Sequence, residues 1–167
     1  MIFELSKNGD PLFSRIHPLL AGLVHAGMED PWEHYPEGST RLLPPPGKEE
    51  ELLEDWRDHV QPGLRRHFDS ERAIVVADIA GMKQGKGRSP LWSLEIPNKH
   101  REAWLTTLNA LRLALACEHC FTEEELSHKS SPDLSTGRGL ALMQVNFYAF
   151  MQECLIQTLE QDRNIGE

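Results

Sequence analysis

Three side chains near the middle of the chain have the residue types and the spacing of metal ligands. Cys117 and Cys120 are separated by two residues, and His119 lies between them. Paired cysteines at this spacing supply half of a tetrahedral zinc site, but no second pair follows that would complete it. Redox chemistry would favour the start of a helix, where a thiolate is stabilised, whereas these residues come at a predicted helix end. We therefore expect no metal and no cofactor. If a metal does bind, these three residues are the site that we would assign to it.

A second candidate site lies slightly earlier in the same helical segment. Asn109 and Arg112 are three residues apart, so they are neighbours on one face of a helix that is otherwise strongly apolar. A buried guanidinium without partners is costly, so Arg112 must reach a carboxylate, carbonyl groups or the surface. The pair is therefore either a ligand-binding clamp for an anion or part of a hydrogen-bond network that ties this helix to a neighbour. We favour the network, because most buried polar groups are satisfied internally.

The stretch from Gly81 to Ser89 is the one basic segment without an acidic residue. A phosphate-binding loop has four residues between its first glycine and its Gly-Lys pair, followed by Ser or Thr. Here three residues intervene and a glycine follows the lysine. We predict a flexible basic loop over residues 81–90 instead. The sequence also lacks a nucleophile elbow, a His-Glu-x-x-His motif, a dinucleotide fingerprint and a calcium loop, so we name no catalytic residue.

Charge and composition exclude several classes of protein. The chain has 167 residues, 40% of them hydrophobic, which suits a single domain with one sizeable core. Its net charge of −9 repels phosphate backbones and argues against nucleic-acid binding. It contains neither a long apolar run that would span a membrane nor a recognisable signal peptide. Three cysteines do not form a disulfide framework, so we expect a cytoplasmic protein.

The element that must position both candidate sites is a helix predicted over residues 98–121. Its apolar residues recur at intervals of four, three and four, and a second apolar face lies beside them. A helix that is apolar on most of its circumference is normally enclosed by other elements. We predict that it is the central helix, capped by Asn98, with this stripe buried: Trp104, Leu108, Leu111 and Leu115.

The remaining elements are predicted around this helix. Strands are expected at 2–5 and 91–96, paired with each other as a two-stranded ribbon. Asp10 is predicted to cap a helix over residues 11–24 that Pro18 kinks. A helix from Lys48 should bury Leu52, Leu53, Trp56 and Val60, break at Pro62-Gly63, and be followed by another over residues 64–79. The other predicted features are a Pro-rich loop at 28–47, a capping box from Thr122 to Glu125, and a frayed tail at 160–167.

The last predicted helix, over residues 140–159, has two apolar stripes. One stripe is sufficient to dock the helix onto a core. The second must also be covered, because a monomer rarely exposes so large an apolar strip. Two coverings are available: the predicted N-terminal helix over residues 11–24 of the same chain, or the same helix of a second copy. We favour a homodimer with a two-fold axis, because the helix over residues 98–121 already occupies the one fully enclosed position. The interface candidates are Leu142, Val145, Ala149 and Ile156.

Four segments resemble the DUF2017 family, a bacterial family of unknown function. They are RLLPPP at 41–46, the Trp56-Arg57 pair, AWLTTLNALRLALA at 103–116 and FMQECLI at 150–156. The most distinctive part is W-L-x-x-L-N-x-L-R-L-A-L, from Trp104 to Leu115. Family members usually carry a Gly-Thr-Arg-like sequence at positions 116–120, so the cysteine pair departs from the family pattern. The resemblance implies no activity, and it implies only a loose link to protein turnover, because some actinobacterial members look like genomic neighbours of the Clp protease adaptor.

Together these observations predict a mainly α single-domain bundle of about five or six helices with a minor two-stranded β ribbon. We expect a non-enzymatic interaction or regulatory module, because apolar faces are plentiful and no catalytic constellation assembles. The alternative is a ligand- or metal-binding protein, or an enzyme, that uses Arg112 and Asn109 or Cys117 and Cys120. The protein partner is not identified by the sequence.

Overall fold

The computed structural model describes residues 1–26, 43–86, 90–127 and 132–165, with side chains as far as residue 159. Its helices are α1 (Pro18–Ala26), α2 (Glu50–Asp55), α3 (Gln61–Ala80), α4 (Arg101–Glu118), α5 (Glu123–Leu126) and α6 (Gly137–Ile165), with a π-helix at Trp56–Val60 and a 3-10 helix at Asn98–His100. Its strands are β1 (Ile2–Leu5), β2 (Pro11–Ile16), β3 (Lys83–Gln84) and β4 (Trp92–Glu95). The mainly α class is therefore confirmed.

The sheet is larger than the predicted ribbon. Four antiparallel strands lie in the order β1-β2-β4-β3, so β4 pairs with β2 and not with β1. Across the core-facing side, Phe3 lies opposite Phe13, with ring centroids 4.9 Å apart, and Phe13 lies opposite Leu94. The basic segment after α3 contributes β3, which pairs Lys83 with Ser93. Residues 87–89 of the predicted basic loop and residues 28–42 of the predicted Pro-rich loop lie outside the described residues.

The predicted helix over residues 11–24 is wrong in its first half. Phe13 and Ile16 are both buried three residues apart, which resembles helical spacing. In the structure a register shift lies between them, and Arg15 takes a positive φ of 54°, so an irregular strand turns both side chains inward. The helix begins only at Pro18, because proline fits the first turn and not a helix interior. Asp10 is therefore not the cap of a helix that begins at Pro11; its Oδ1 accepts the backbone N–H of Asn98, the first residue of the 3-10 helix, at 2.8 Å.

The predicted break at Pro62-Gly63 is also wrong, because the helical path continues from α2 into α3. The Gln61 N–H donates to the Trp56 carbonyl, five residues back, so the helical turn before the proline contains one extra residue. This π-turn accommodates a residue that has no N–H and that clashes with the preceding turn of a regular helix. The stripe predicted to be buried here is only partly covered: Leu53 and Trp56 are half-buried, whereas Leu52 is 44% and Val60 is 46% exposed.

The central position of α4 matches the prediction. It packs against both α3 and α6. Trp104 and Leu108 are fully buried, together with Tyr148, Met151 and Leu155 of α6. Asn98 does not cap α4, since a 3-10 turn lies between them. The side-chain Nδ2 of Asn98 instead donates to the Gly9 carbonyl at 3.3 Å. The capping box at Thr122 is confirmed. Of the helices that the structure describes, none is long and apolar enough to cross a membrane.

Candidate functional site

Helices α4 and α6 lie side by side in opposite directions. Arg101 near the start of α4 contacts Thr158 near the end of α6, with Nη1 donating to Oγ1 at 3.1 Å. At the other end, Ala116 of α4 and Phe121 pack against residues of the first turns of α6. This second contact buries Leu142 and Val145, which are 6% and 2% exposed. Both residues were predicted interface candidates, and their place in the core of the same chain removes them from any outer surface.

The other half of the predicted stripe faces a groove between the two helices. Ala149 is half-buried and Ile156 is 42% exposed. The groove has a volume of about 510 Å³ and is lined by Arg112, Ala149, Phe150, Gln152, Glu153 and Ile156. We call it the α4–α6 groove.

Arg112 is held in this groove by one neighbour on α6. Its Nη1 donates to Gln152 Oε1 at 2.5 Å, and Gln152 Nε2 donates to the backbone carbonyl of Leu105 at 3.1 Å. Gln152 therefore bridges the two helices and fixes the direction of the guanidinium. The expected hydrogen-bond network between α4 and a neighbour is present. Asn109 is exposed on α4 and does not line the groove, so it does not belong to this network.

The charge of Arg112 is not balanced by any described residue. Burial lowers the pKa of its guanidinium. Its Nε is buried without a hydrogen-bond partner, and the part of the chain that the structure describes places no carboxylate within 4.0 Å of it. A partly desolvated cation without a carboxylate retains hydrogen-bonding capacity for an incoming group.

The rim of the groove carries both an anion and apolar surface. Glu153 is exposed; its Oε1 accepts from Gln157 Nε2 at 3.1 Å, and it makes no ion pair with Arg112. Phe150 is 46% exposed and Ile156 is 42% exposed. Large apolar side chains beside a desolvated arginine are the residue types that dominate protein–protein binding energy.

The predicted alternative metal site does not assemble. Cys117 is half-buried, while Cys120 is exposed, has a positive φ of 49° and points its Sγ at the Cys117 carbonyl, 3.6 Å away. His119 stacks on Phe121, with ring centroids 5.5 Å apart. Across the described ranges, no three His, Cys, Asp or Glu side chains gather as metal ligands.

A second polar cluster was not anticipated from the sequence. The Asp78 carboxylate accepts hydrogen bonds from His100 Nδ1 at 3.0 Å and from Trp104 Nε1 at 2.9 Å. A histidine oriented by a carboxylate resembles a general base. However, His100 does not line the neighbouring cavity of about 570 Å³, which holds Asp78 with Asp10 and Glu95. The cluster satisfies the buried indole N–H and connects α3 to α4, so we assign it a structural role.

Sequence reasoning named Arg112 but missed Gln152, Phe150 and Glu153 as its neighbours in the groove. Gln152 had one weak signal, because a glutamine interrupts the second apolar stripe between Ala149 and Ile156. Nothing in the helical periodicity indicated that it lies against Arg112, since that contact joins residues 40 positions apart.

Comparison with known proteins identifies a family without an activity. The family model described as Domain of unknown function (DUF2017) matches residues 11–159 of the 167-residue chain. No match to a curated protein and no match to a solved structure was found. The matched range begins at β2 and ends near the last described side chain of α6, so it contains every residue that lines the α4–α6 groove. The chain belongs to the DUF2017 family.

Proposed function

We propose that this protein is a cytoplasmic, non-enzymatic interaction module whose docking surface is the α4–α6 groove. The observation that carries the proposal is the guanidinium of Arg112, half-buried and bound to Gln152 without a carboxylate partner among the described residues. The partner is a protein that presents a carboxylate next to apolar side chains. A loose link to protein turnover remains a prediction that rests on the family resemblance.

The energetics favour a docking role over a purely structural one for Arg112. A structural arginine at this position would need a carboxylate to offset its desolvation, and Gln152 offers only a neutral oxygen. An arriving carboxylate would form charge-assisted hydrogen bonds, which are roughly twice as strong as neutral ones. Phe150 and Ile156, both exposed in the described chain, would then be covered together with the ion pair.

The alternative is a small carboxylate ligand bound to Arg112. The groove volume of about 510 Å³ lies in the range of ligand pockets and supports this alternative. Glu153 at the rim opposes it, because this carboxylate repels a small anion that brings no positive group of its own. Asn109 is exposed and is not one of the residues that line the groove, so it does not contribute to such a site.

The proposal is tested by site-specific photo-crosslinking in the native host. A photoreactive phenylalanine analogue replaces Phe150 in one strain and Leu134 in a control strain; Leu134 is 48% exposed but lies outside the groove. We expect a discrete protein adduct from position 150 only, and we expect Arg112→Glu to abolish it. Equal adducts from both positions, or an adduct that is insensitive to Arg112→Glu, would refute the groove as the docking surface.

A further inference from the structure

The α4–α6 groove carries one positive and one negative group, and neither has a partner of opposite charge among the described residues. Arg112 lies on α4, and Glu153 lies on the facing side of α6. We infer that the partner is a second copy of this chain, related by a two-fold axis, in which Glu153 of each copy binds Arg112 of the other. This inference rests on the proposed function and names the occupant of its docking surface.

Charge distinguishes a second copy from other occupants. A purely acidic partner would be repelled by Glu153, and a purely basic partner would be repelled by Arg112. A second copy brings both charges in the complementary arrangement, because a two-fold interface always pairs residue i with j and j with i. The ion pair forms twice, and the desolvation of each guanidinium is offset by a carboxylate.

The apolar residues of the groove fit the same symmetry. Phe150 and Ile156 stand three residues before and three residues after Glu153 on α6. An antiparallel crossing of the two α6 helices centred at Glu153 therefore places each Phe150 against the Ile156 of the other copy. Both side chains are nearly half exposed in the single chain and would be covered in the dimer. The two glutamates then lie close to the axis, and each needs the opposite arginine to avoid repulsion.

The size of the surface sets the expected strength. The large exposed apolar side chains available to this contact are Phe150 and Ile156 of each copy, and small contacts are typical of weak or transient complexes. We therefore expect reversible dimerisation with a dissociation constant on the order of micromolar, not an obligate dimer.

Sedimentation velocity on charge-reversal variants tests the inference. Wild-type protein should form dimers as its concentration rises through the micromolar range. Arg112→Glu alone and Glu153→Arg alone should each weaken dimerisation by at least about tenfold, because each places like charges together twice. A mixture of the two variants should regain dimers, since both contacts of the mixed pair then have opposite charge. Glu95→Arg, an exposed change on the sheet, is the matched control and should dimerise as wild type does.

The mixing experiment also controls for folding, because variants that regain a dimer are folded. Wild-type protein that stays monomeric at about 500 µM would overturn the inference, as would a mixture no more dimeric than its components. A monomer that still gives an Arg112-dependent adduct with another protein from position 150 would leave the proposed function standing and refute only the second copy. A monomer without such an adduct would refute both.

Discussion

The clearest quantitative prediction concerns the buried contact between α6 and α1. Tyr148 is fully buried, and its hydroxyl donates to the Leu23 carbonyl at 2.9 Å. Gln144 Nε2 donates to the same carbonyl at 3.1 Å and to the Tyr148 hydroxyl at 2.7 Å. Leu23 lies in the last turn of α1, where the intrahelical hydrogen bonds of a helix end. Two side chains of α6 therefore stabilise the end of another helix.

This arrangement predicts strongly non-additive mutations. Tyr148→Phe removes one donor to the Leu23 carbonyl and Gln144→Met removes the other, so either change alone leaves the carbonyl bonded. Each should lower the free energy of unfolding by about 1 kcal/mol, the usual net contribution of one hydrogen bond. The double variant leaves a partly buried carbonyl without a side-chain donor and should lose about 3 to 4 kcal/mol, because that desolvation adds about 1 to 2 kcal/mol.

Urea unfolding of the wild type and the three variants measures this coupling. The urea concentration at the transition midpoint should fall in each variant. The m-value, which is the slope of the unfolding free energy against urea concentration, should stay constant, since none of the changes alters the surface exposed on unfolding. A double variant whose loss equals the sum of the single losses within about 0.5 kcal/mol would refute the reasoning. It would show that the Leu23 carbonyl finds another donor when both side chains are gone.

Three further predictions concern other parts of the fold. Gly139→Ala places a Cβ 1.8 Å from a backbone oxygen of the preceding loop and should cost more than about 3 kcal/mol, whereas Gly22→Ala meets nothing within 4 Å and should be neutral or stabilising in thermal melts. The pKa of Glu125 is lowered to about 2, chiefly by the hydrogen bond from Arg138. The ionised carboxylate therefore stabilises α5 fully above the ordinary pKa of a glutamate, and this stabilisation is lost as the pH falls towards 2. An NMR titration should find this midpoint, Arg138→Gln should raise it, and an unchanged midpoint would contradict the assignment. Arg112→Met removes a charge that no described carboxylate balances, so it should change the free energy of unfolding by less than about 1 kcal/mol, and a larger loss would indicate that the arginine is needed for folding.

The long helices could be predicted from the sequence because their apolar residues keep one period over many turns. The stripes of α4 and α6 run through residues that are buried in the structure, including Trp104, Leu108 and Met151. β2 could not be predicted, because an irregular register at Arg15 gives a strand the spacing of a helix. The uninterrupted path through Pro62 depended on a π-turn, which leaves no compositional signal.

The candidate site was predictable only in part. Arg112 stood out because it is the one charged residue in an apolar segment. Its partner Gln152 could not be found, since the contact joins two helices and depends on their relative rotation. Leu142 and Val145 belong to the same apolar stripe as Ala149 and Ile156, which line the groove. They are covered by the end of α4 and by Phe121, which is a tertiary contact that helical periodicity does not encode.

The central claim, that the α4–α6 groove is the docking surface, is tested most directly by the methyl resonance of Ile156. Isoleucine-specific labelling also reports on Ile2, which has nearly the same exposure, 44% against 42%, but lies on β1, away from the groove. We predict that the Ile156 methyl shift changes as wild-type protein is concentrated from about 5 µM to about 500 µM, that Ile2 stays constant, and that Arg112→Glu suppresses the change. The claim would be contradicted if the Ile156 methyl shift stays constant over this concentration range and also does not change when native-host extract is added.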